Sequence, residues 1–180
     1  VLSLSEHTRR ELQAIAPGLQ SNLLPVPIDT DAFFVDSNAT ITARVGFAGR
    51  FDDPRKNIGL LLEAFAIVHR RFPEATLSLM GGTGTDALRA AAERLGIGES
   101  VQVARRLNDK SYRAELQTLD VFVVPSHQEG LCIAALEAMA CGVPVVSTRC
   151  GGPEEFVVDG VTGYCCDFDP PDLAKKLLRV

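Results

Sequence analysis

Apolar residues fall in short unbroken runs along this chain, separated by longer stretches with a helical repeat. The β-rich runs lie at 22–26, 45–48, 75–80, 101–104, 121–125, 143–147 and 163–166, after a strand-like start at 1–4. Several are apolar at consecutive positions, the mark of strands covered on both faces in a parallel sheet. Helical patterns fill the gaps at 5–15, 57–71, 86–95, 111–119, 131–141 and 172–180. The first opens with a capping-box spacing on Ser3 and Glu6. The second carries Leu61, Leu62, Phe65 and Val68 along one stripe and stops before Pro73. Such alternation predicts right-handed βαβ units and an α/β fold with a doubly wound parallel sheet of Rossmann type. Residues 27–43, with Pro27, two aspartates, Ser37 and Asn38, read as a loop. They place a boundary at 39–43, with a hinge-side segment over 1–40 and a sheet domain over 41–180.

Composition narrows the class. The 180 residues suit one sizeable core, and 46% hydrophobic with 23% charged residues is ordinary for a globular protein. A net charge of −5 supplies no basic field for nucleic acid. The five cysteines, Cys132, Cys141, Cys150, Cys165 and Cys166, form no CxxC pair and read as free thiols in a reducing cytoplasm. A zinc site from Cys150, Cys165 and Cys166 lacks the usual spacing. No apolar run is long enough to cross a bilayer, and no signal-peptide pattern occurs. The chain starts without Met on a strand-like segment and stops within a helical pattern, so it reads as the later half of a larger protein.

The candidate chemistry sits where the strands end. Ligands of open α/β sheets bind beyond the carboxyl ends of the strands. There the chain places Gly49-Arg50 and Lys56, then Gly81-Gly82-Thr83-Gly84, Arg105-Arg106, Ser126-His127-Gln128-Glu129-Gly130, and Arg149 with Gly151-Gly152. Arg50 and Lys56 suit a diphosphate, one as a planar fork and one as a point charge. A helix starting near Gly130 offers free amides and its dipole to an anion. From Gly130 to Thr148 the only charged residue is Glu137, whose helical neighbours Ile133, Ala134, Ala140 and Cys141 cannot pair with a carboxylate. A lone carboxylate in so apolar a helix is costly unless something binds it, and a ribose diol is one such partner. Taken singly, Arg50 and Lys56 are ordinary surface charges, Glu129 a helix-start carboxylate, and Glu137 half of a distant ion pair. His127 reads as a loop or core histidine, and His7 and His69 as surface residues. Their common sheet edge favours function.

These motifs resemble the retaining GT-B glycosyltransferases, in the glycogen-synthase and sucrose-synthase-like branch. The carriers are Arg50 through Lys56, the Gly81-Gly82 loop, Pro125-Ser126-x-x-Glu129-Gly130, and Glu137-Ala138-Met139-Ala140-x-Gly142-x-Pro144-Val145-Val146. Gly151-Gly152 and Asp159-Gly160-x-x-Gly163 also fit. The resemblance spans nearly the whole chain as the carboxy-terminal half of a GT-B architecture. It implies that Arg50 and Lys56 bind the diphosphate of a nucleoside-diphosphate sugar and that Glu137 holds the ribose. It further implies that Glu129 contacts the donor sugar and that Gly130, Leu131 and Cys132 offer amides to sugar and phosphate. Gly49 and Gly82 would let backbone approach the ligand, and Leu107 would pack on the base. Cys132 stands where the family often has glycine. The implied reaction is transfer of a sugar to an acceptor with retention, needing no metal and no cofactor beyond the donor, and inactive without the amino-terminal domain. The implied location is cytoplasmic, extending to the inner membrane face where the missing domain meets a lipid acceptor. Two alternatives stay open. Gly82-Thr83-Gly84-Thr85-Asp86-Ala87 fits the G-x-G-x-x-A fingerprint of an NADP-binding Rossmann oxidoreductase, with Arg105 and Arg106 toward a 2′-phosphate. The other is a non-catalytic domain of the same fold.

Overall fold

The computed structural model describes residues 1–38, 40–82, 85–105 and 107–180, with the backbone alone for Arg105. Residues 1–24 form a small β-α-β unit. Strands β1 (Leu2–Ser3) and β2 (Asn22–Leu23) pair in parallel, joined by helix α1 (Glu6–Ile15). The cap of α1 is Ser5, whose hydroxyl accepts from the Thr8 amide at 3.0 Å. The capping box expected on Ser3 and Glu6 does not form, because Ser3 is held in β1 and its hydroxyl meets that of Ser21.

The main sheet follows as β3 (Arg44–Ala48), β4 (Thr76–Gly81), β5 (Val101–Arg105), β6 (Val121–Val124), β7 (Val145–Thr148) and β8 (Gly163–Cys166). Their connections carry α2 (Ile58–Arg71), α3 (Thr85–Arg94), α4 (Asp109–Leu116) and α5 (Ile133–Ala140), with α6 (Pro170–Leu177) after β8. All strands are parallel in the order β5-β4-β3-β6-β7-β8. This is the expected doubly wound sheet. Its order reverses between β3 and β6, which opens a crevice at their carboxyl ends.

Alternation along each strand divides the core into two layers. Val45, Phe47, Leu77, Leu79, Val121 and Val123 face α2, α3 and α6. Met80, Phe122, Val124 and Val145 face α4 and α5. Gly46 lies on the second face, where Leu119 presses so close that a Cβ would fall 2.2 Å from its Cδ1. The turn after α4 therefore seats directly on β3. Cys166 belongs to the first layer and Cys165 and Cys150 to the second. Adjacent strand residues point to opposite faces, so the three thiols cannot converge on one zinc; all five cysteines are free. Among the described residues no helix is long and apolar enough to cross a membrane.

Candidate active site

The loop after β3 is shaped by Asp53. Its carboxylate accepts from the Arg55 amide at 3.0 Å and from the Arg55 guanidinium at 3.1 and 2.7 Å. With Pro54 at the first position, this caps a short 3-10 turn, Pro54–Lys56. The Arg55 guanidinium holds the Asp53 carboxyl down at about 2, below the usual carboxylate range. The Arg55 carbonyl accepts from the His127 amide at 2.7 Å, which joins this loop to the one after β6. Lys56 then reaches across the crevice, and its Nζ lies 2.7 Å from Glu129 Oε1.

Glu129 is fixed at both ends. Ser126, fully buried, donates its hydroxyl to the same Oε1 at 2.6 Å. The Glu129 amide donates to the Cys150 carbonyl, and its carbonyl accepts from the Gly152 amide, at 2.8 and 2.9 Å. Gly152 is obligatory, since a Cβ there would sit 2.4 Å from the Gly130 carbonyl oxygen. The same Gly130 carbonyl accepts from the Ser5 and Thr8 hydroxyls, while Glu155 accepts from the Glu6 and His7 amides. The amino-terminal unit is thereby tied to the loops after β6 and β7.

Helix α5 begins behind this loop. Its N-cap, Cys132, is left-handed at φ 69° and supplies no side-chain cap to the first-turn amides. Burial, followed by the nearby Glu129 charge, pushes the Cys132 thiol up to about 12, which keeps it protonated and unreactive. The helix is less enclosed than its composition implies: Ala135 and Ala138 are buried, but Ile133 is exposed and Glu137 only half-buried. Nor is Glu137 alone, because the Tyr112 hydroxyl donates to its Oε2 at 2.8 Å. The sequence reading correctly excluded helical neighbours, yet the partner comes from α4.

A cavity of about 430 Å³ opens at the switch point. One side is Gly49 and Arg50 after β3, another Met80, Gly81 and Gly82 at the end of β4. Leu107 and Tyr112 form a third, and Ala134 of α5 closes it. Gly81 permits the two strand ends to touch, as a Cβ there would lie 2.2 Å from the Gly49 carbonyl oxygen. Gly82 has open space in front of it.

Most residues singled out from the sequence thus gather at one edge. Gly49, Arg50, Gly82 and Leu107 line the cavity, Lys56 joins Glu129, and Glu137 stands behind Tyr112. Arg50 is 73% exposed, with Asp52 and Asp53 at 3.5 and 3.8 Å. Gly130 and Leu131 lead into Cys132 at the helix start. His127 stacks on Phe168 and His69 on Phe65, with the His69 ring nitrogens bonded to the Ala75 carbonyl and the Ser100 hydroxyl. His69 is therefore a structural residue rather than a free surface group, and the His7 ring stands against Gly151. Thr83, Gly84, Arg106 and the Arg105 side chain, which carry the dinucleotide fingerprint, lie outside the described residues, as does Ala39 at the expected boundary. Tyr112 and Asp53 were missed. The Asp53-Pro54 pair is a legible cap signal, whereas Tyr112 carries no local one.

Residues 42–180 match the family model described as glycosyl transferases group 1. The chain is 35% identical over 186 aligned positions to the GDP-mannose-dependent alpha-(1-6)-phosphatidylinositol monomannoside mannosyltransferase of Mycolicibacterium smegmatis, covering 93% of this chain and 48% of that protein. It is 31% identical to the phosphatidyl-myo-inositol mannosyltransferase of Mycobacterium tuberculosis, over 98% of this chain and 47% of the relative. Among solved structures, sucrose-phosphate synthase from Thermosynechococcus elongatus superposes with a TM-score of 0.89 at 26% identity, covering 99% of this chain and 48% of that one. The Anabaena HepE complex with UDP and glucose shares the fold at TM-score 0.84 and 22% identity, covering 98% of this chain and 52% of that one. The chain spans about half the length of the relatives it matches. Strand order, crevice and family model agree: the chain belongs to the glycosyl transferases group 1 and forms the carboxy-terminal α/β domain of their GT-B architecture.

Proposed function

We propose that this chain is the donor-binding half of a retaining glycosyltransferase, holding a nucleoside-diphosphate sugar for metal-independent transfer to an acceptor. The observation that carries the reading is the pairing of Lys56 with Glu129 across the switch point, beside a cavity walled by Arg50 and Tyr112. The base packs between Leu107 and the strand ends. The ribose reaches Glu137, and the diphosphate lies between Arg50, Lys56 and the uncapped start of α5. Glu129, anchored through Oε1, presents its carboxylate to the sugar. Catalysis then rests on positioning and on cations that offset charge on the departing diphosphate. Acceptor recognition and contact with a membrane belong to the other half of the relatives' length, and the cytoplasmic face is the matching location.

The test is calorimetric titration of the chain with GDP, UDP, ADP and NADP⁺, in the absence of metal. GDP comes first because the 35%-identical relative is by name GDP-mannose-dependent. Binding of one nucleoside diphosphate, abolished by Glu137→Ala, is the expected result. Binding of NADP⁺ alone overturns the reading in favour of an oxidoreductase domain.

A further inference from the structure

The Glu137 carboxylate has no donor on its own helix, where Ile133, Ala134, Ala140 and Cys141 surround it. Among the described residues its one partner is the Tyr112 hydroxyl, on Oε2. Tyr112 is itself held from several sides. Asn108 caps α4 by accepting from the Ser111 amide at 2.9 Å, which sets the turn that carries the tyrosine. The Phe33 ring packs edge-on against it, with centroids 6.3 Å apart and planes at 77°. Phe33 is delivered by a turn that Asp29 closes, its carboxylate accepting from the Asp31 and Ala32 amides at 3.1 and 3.2 Å. Tyr112 also forms part of the cavity wall with Arg50 and Leu107. Burial, then the Glu137 charge, raises the phenol further above its usual alkaline range, so it remains a donor at every working pH.

We propose that Tyr112 is a positioning residue of the donor site, which orients Glu137 toward the vicinal diol of the ribose and sets a preference for ribo- over 2′-deoxyribonucleotides. This rests on the donor-site reading above. With its proton committed to Oε2, the phenol leaves Oε1 to accept one ribose hydroxyl. The lone pair of the phenol oxygen accepts the other. Two adjacent hydroxyls thus meet two adjacent acceptors, one charged and one neutral. A deoxyribose leaves one acceptor without a donor, which a buried polar site tolerates poorly. Without the phenol the carboxylate is free to swing about its torsions, and the match to a diol is lost.

The experiment compares the unsubstituted chain with Tyr112→Phe, titrating the preferred nucleoside diphosphate, its 2′-deoxy analogue and inorganic pyrophosphate. Removal of one charge-assisted bond weakens the ribonucleotide about tenfold. The deoxy analogue weakens by much less, so the ribo/deoxy ratio falls toward one, and pyrophosphate is unaffected. Phe33→Leu, which loosens the phenol without removing it, moves the ratio in the same direction to a smaller degree and does not depend on Tyr112→Phe folding. A role in folding alone would weaken all three ligands together. That pattern, or a ratio unchanged in Tyr112→Phe while Glu137→Ala still abolishes binding, overturns the inference and leaves the donor site standing. If the unsubstituted chain binds no nucleoside diphosphate, the donor-site reading falls and this inference with it.

Discussion

Replacing Lys56 by methionine isolates the ion pair at the centre of the site. Methionine keeps most of the aliphatic stem and removes the ammonium. The pair is short, 2.7 Å, and unevenly exposed, with 22% of the Lys56 side chain and 10% of the Glu129 side chain open to water. A fully buried carboxylate that loses its partner costs about 3–5 kcal/mol, and an exposed pair about 0–1 kcal/mol. The partial exposure of Lys56 and the remaining Ser126 bond place this site between those limits, at about 2 kcal/mol. For a chain of this length that lowers Tm by about 4–8 °C. Glu129→Gln removes the other charge but keeps size and the Ser126 bond, so it costs less, about 1 kcal/mol. The double variant is then little worse than Lys56→Met alone, giving a coupling of about 1 kcal/mol in the cycle. The assay is thermal and urea unfolding of the four proteins at pH 7. Repeating it in 1 M salt separates this pair from surface charges, since a half-buried contact is poorly screened. The two single variants diverge in ligand binding: Lys56→Met loses nucleoside diphosphate far more than nucleoside, while Glu129→Gln frees the ammonium and tightens the diphosphate. A Tm loss under 1 °C in Lys56→Met, or additive effects in the double variant, would refute the reasoning.

Two of the cavity glycines separate packing from ligand approach: Gly81→Ala, facing the Gly49 carbonyl oxygen at 2.2 Å, lowers stability by about 2 kcal/mol or more in urea unfolding, whereas Gly82→Ala, with open space in front of it, leaves the fold unchanged and shows only in nucleotide titration. At Cys132, φ 69° favours glycine over alanine; Cys132→Gly is therefore about 1 kcal/mol more stable than Cys132→Ala, which an equal Tm for the two would contradict. Asp53 titrates at about 2 when folded against 3.8 when free, so its contribution is fully present above pH 4 and is lost as the pH falls toward 2; acid unfolding of Asp53→Asn is correspondingly flatter across that window.

The sheet was legible because each central strand is an unbroken apolar run, and such runs have few other uses in a chain with a helical repeat between them. All six strands of the main sheet and the six helices fall within a few residues of their sequence-based bounds. Errors arose where a local rule had two applicants. Ser3 and Ser5 both precede an acidic helix start, and only pairing of Ser3 into β1 decides that Ser5 is the cap. Glu137 stood out because the rule for helical neighbours left it without a partner. Tyr112, 25 residues earlier, could not be found that way, since the pairing depends on α4 and α5 covering the same face of the sheet. Lys56 and Glu129 were each marked as ligand-binding, yet their bond to one another spans 73 residues and follows from strand order alone.

The departures from local rules are not scattered. Of the three non-glycine residues with positive φ among the described residues, Asn57 directly follows Lys56 and Cys132 follows the Glu129 loop. Each stands immediately before the helix that follows a strand at the switch point, α2 after β3 and α5 after β6. A left-handed residue there reverses the chain between the strand's loop and the helix. Asparagine tolerates that geometry at small cost; cysteine does so less well, and the surrounding bonds from Cys150, Gly152, Ser5 and Thr8 hold the second loop against it. Here Glu129 is paired by Lys56 and Ser126 and Glu137 by Tyr112, and these pairs and the left-handed cap at Cys132 gather on the loops and helix starts around the switch point.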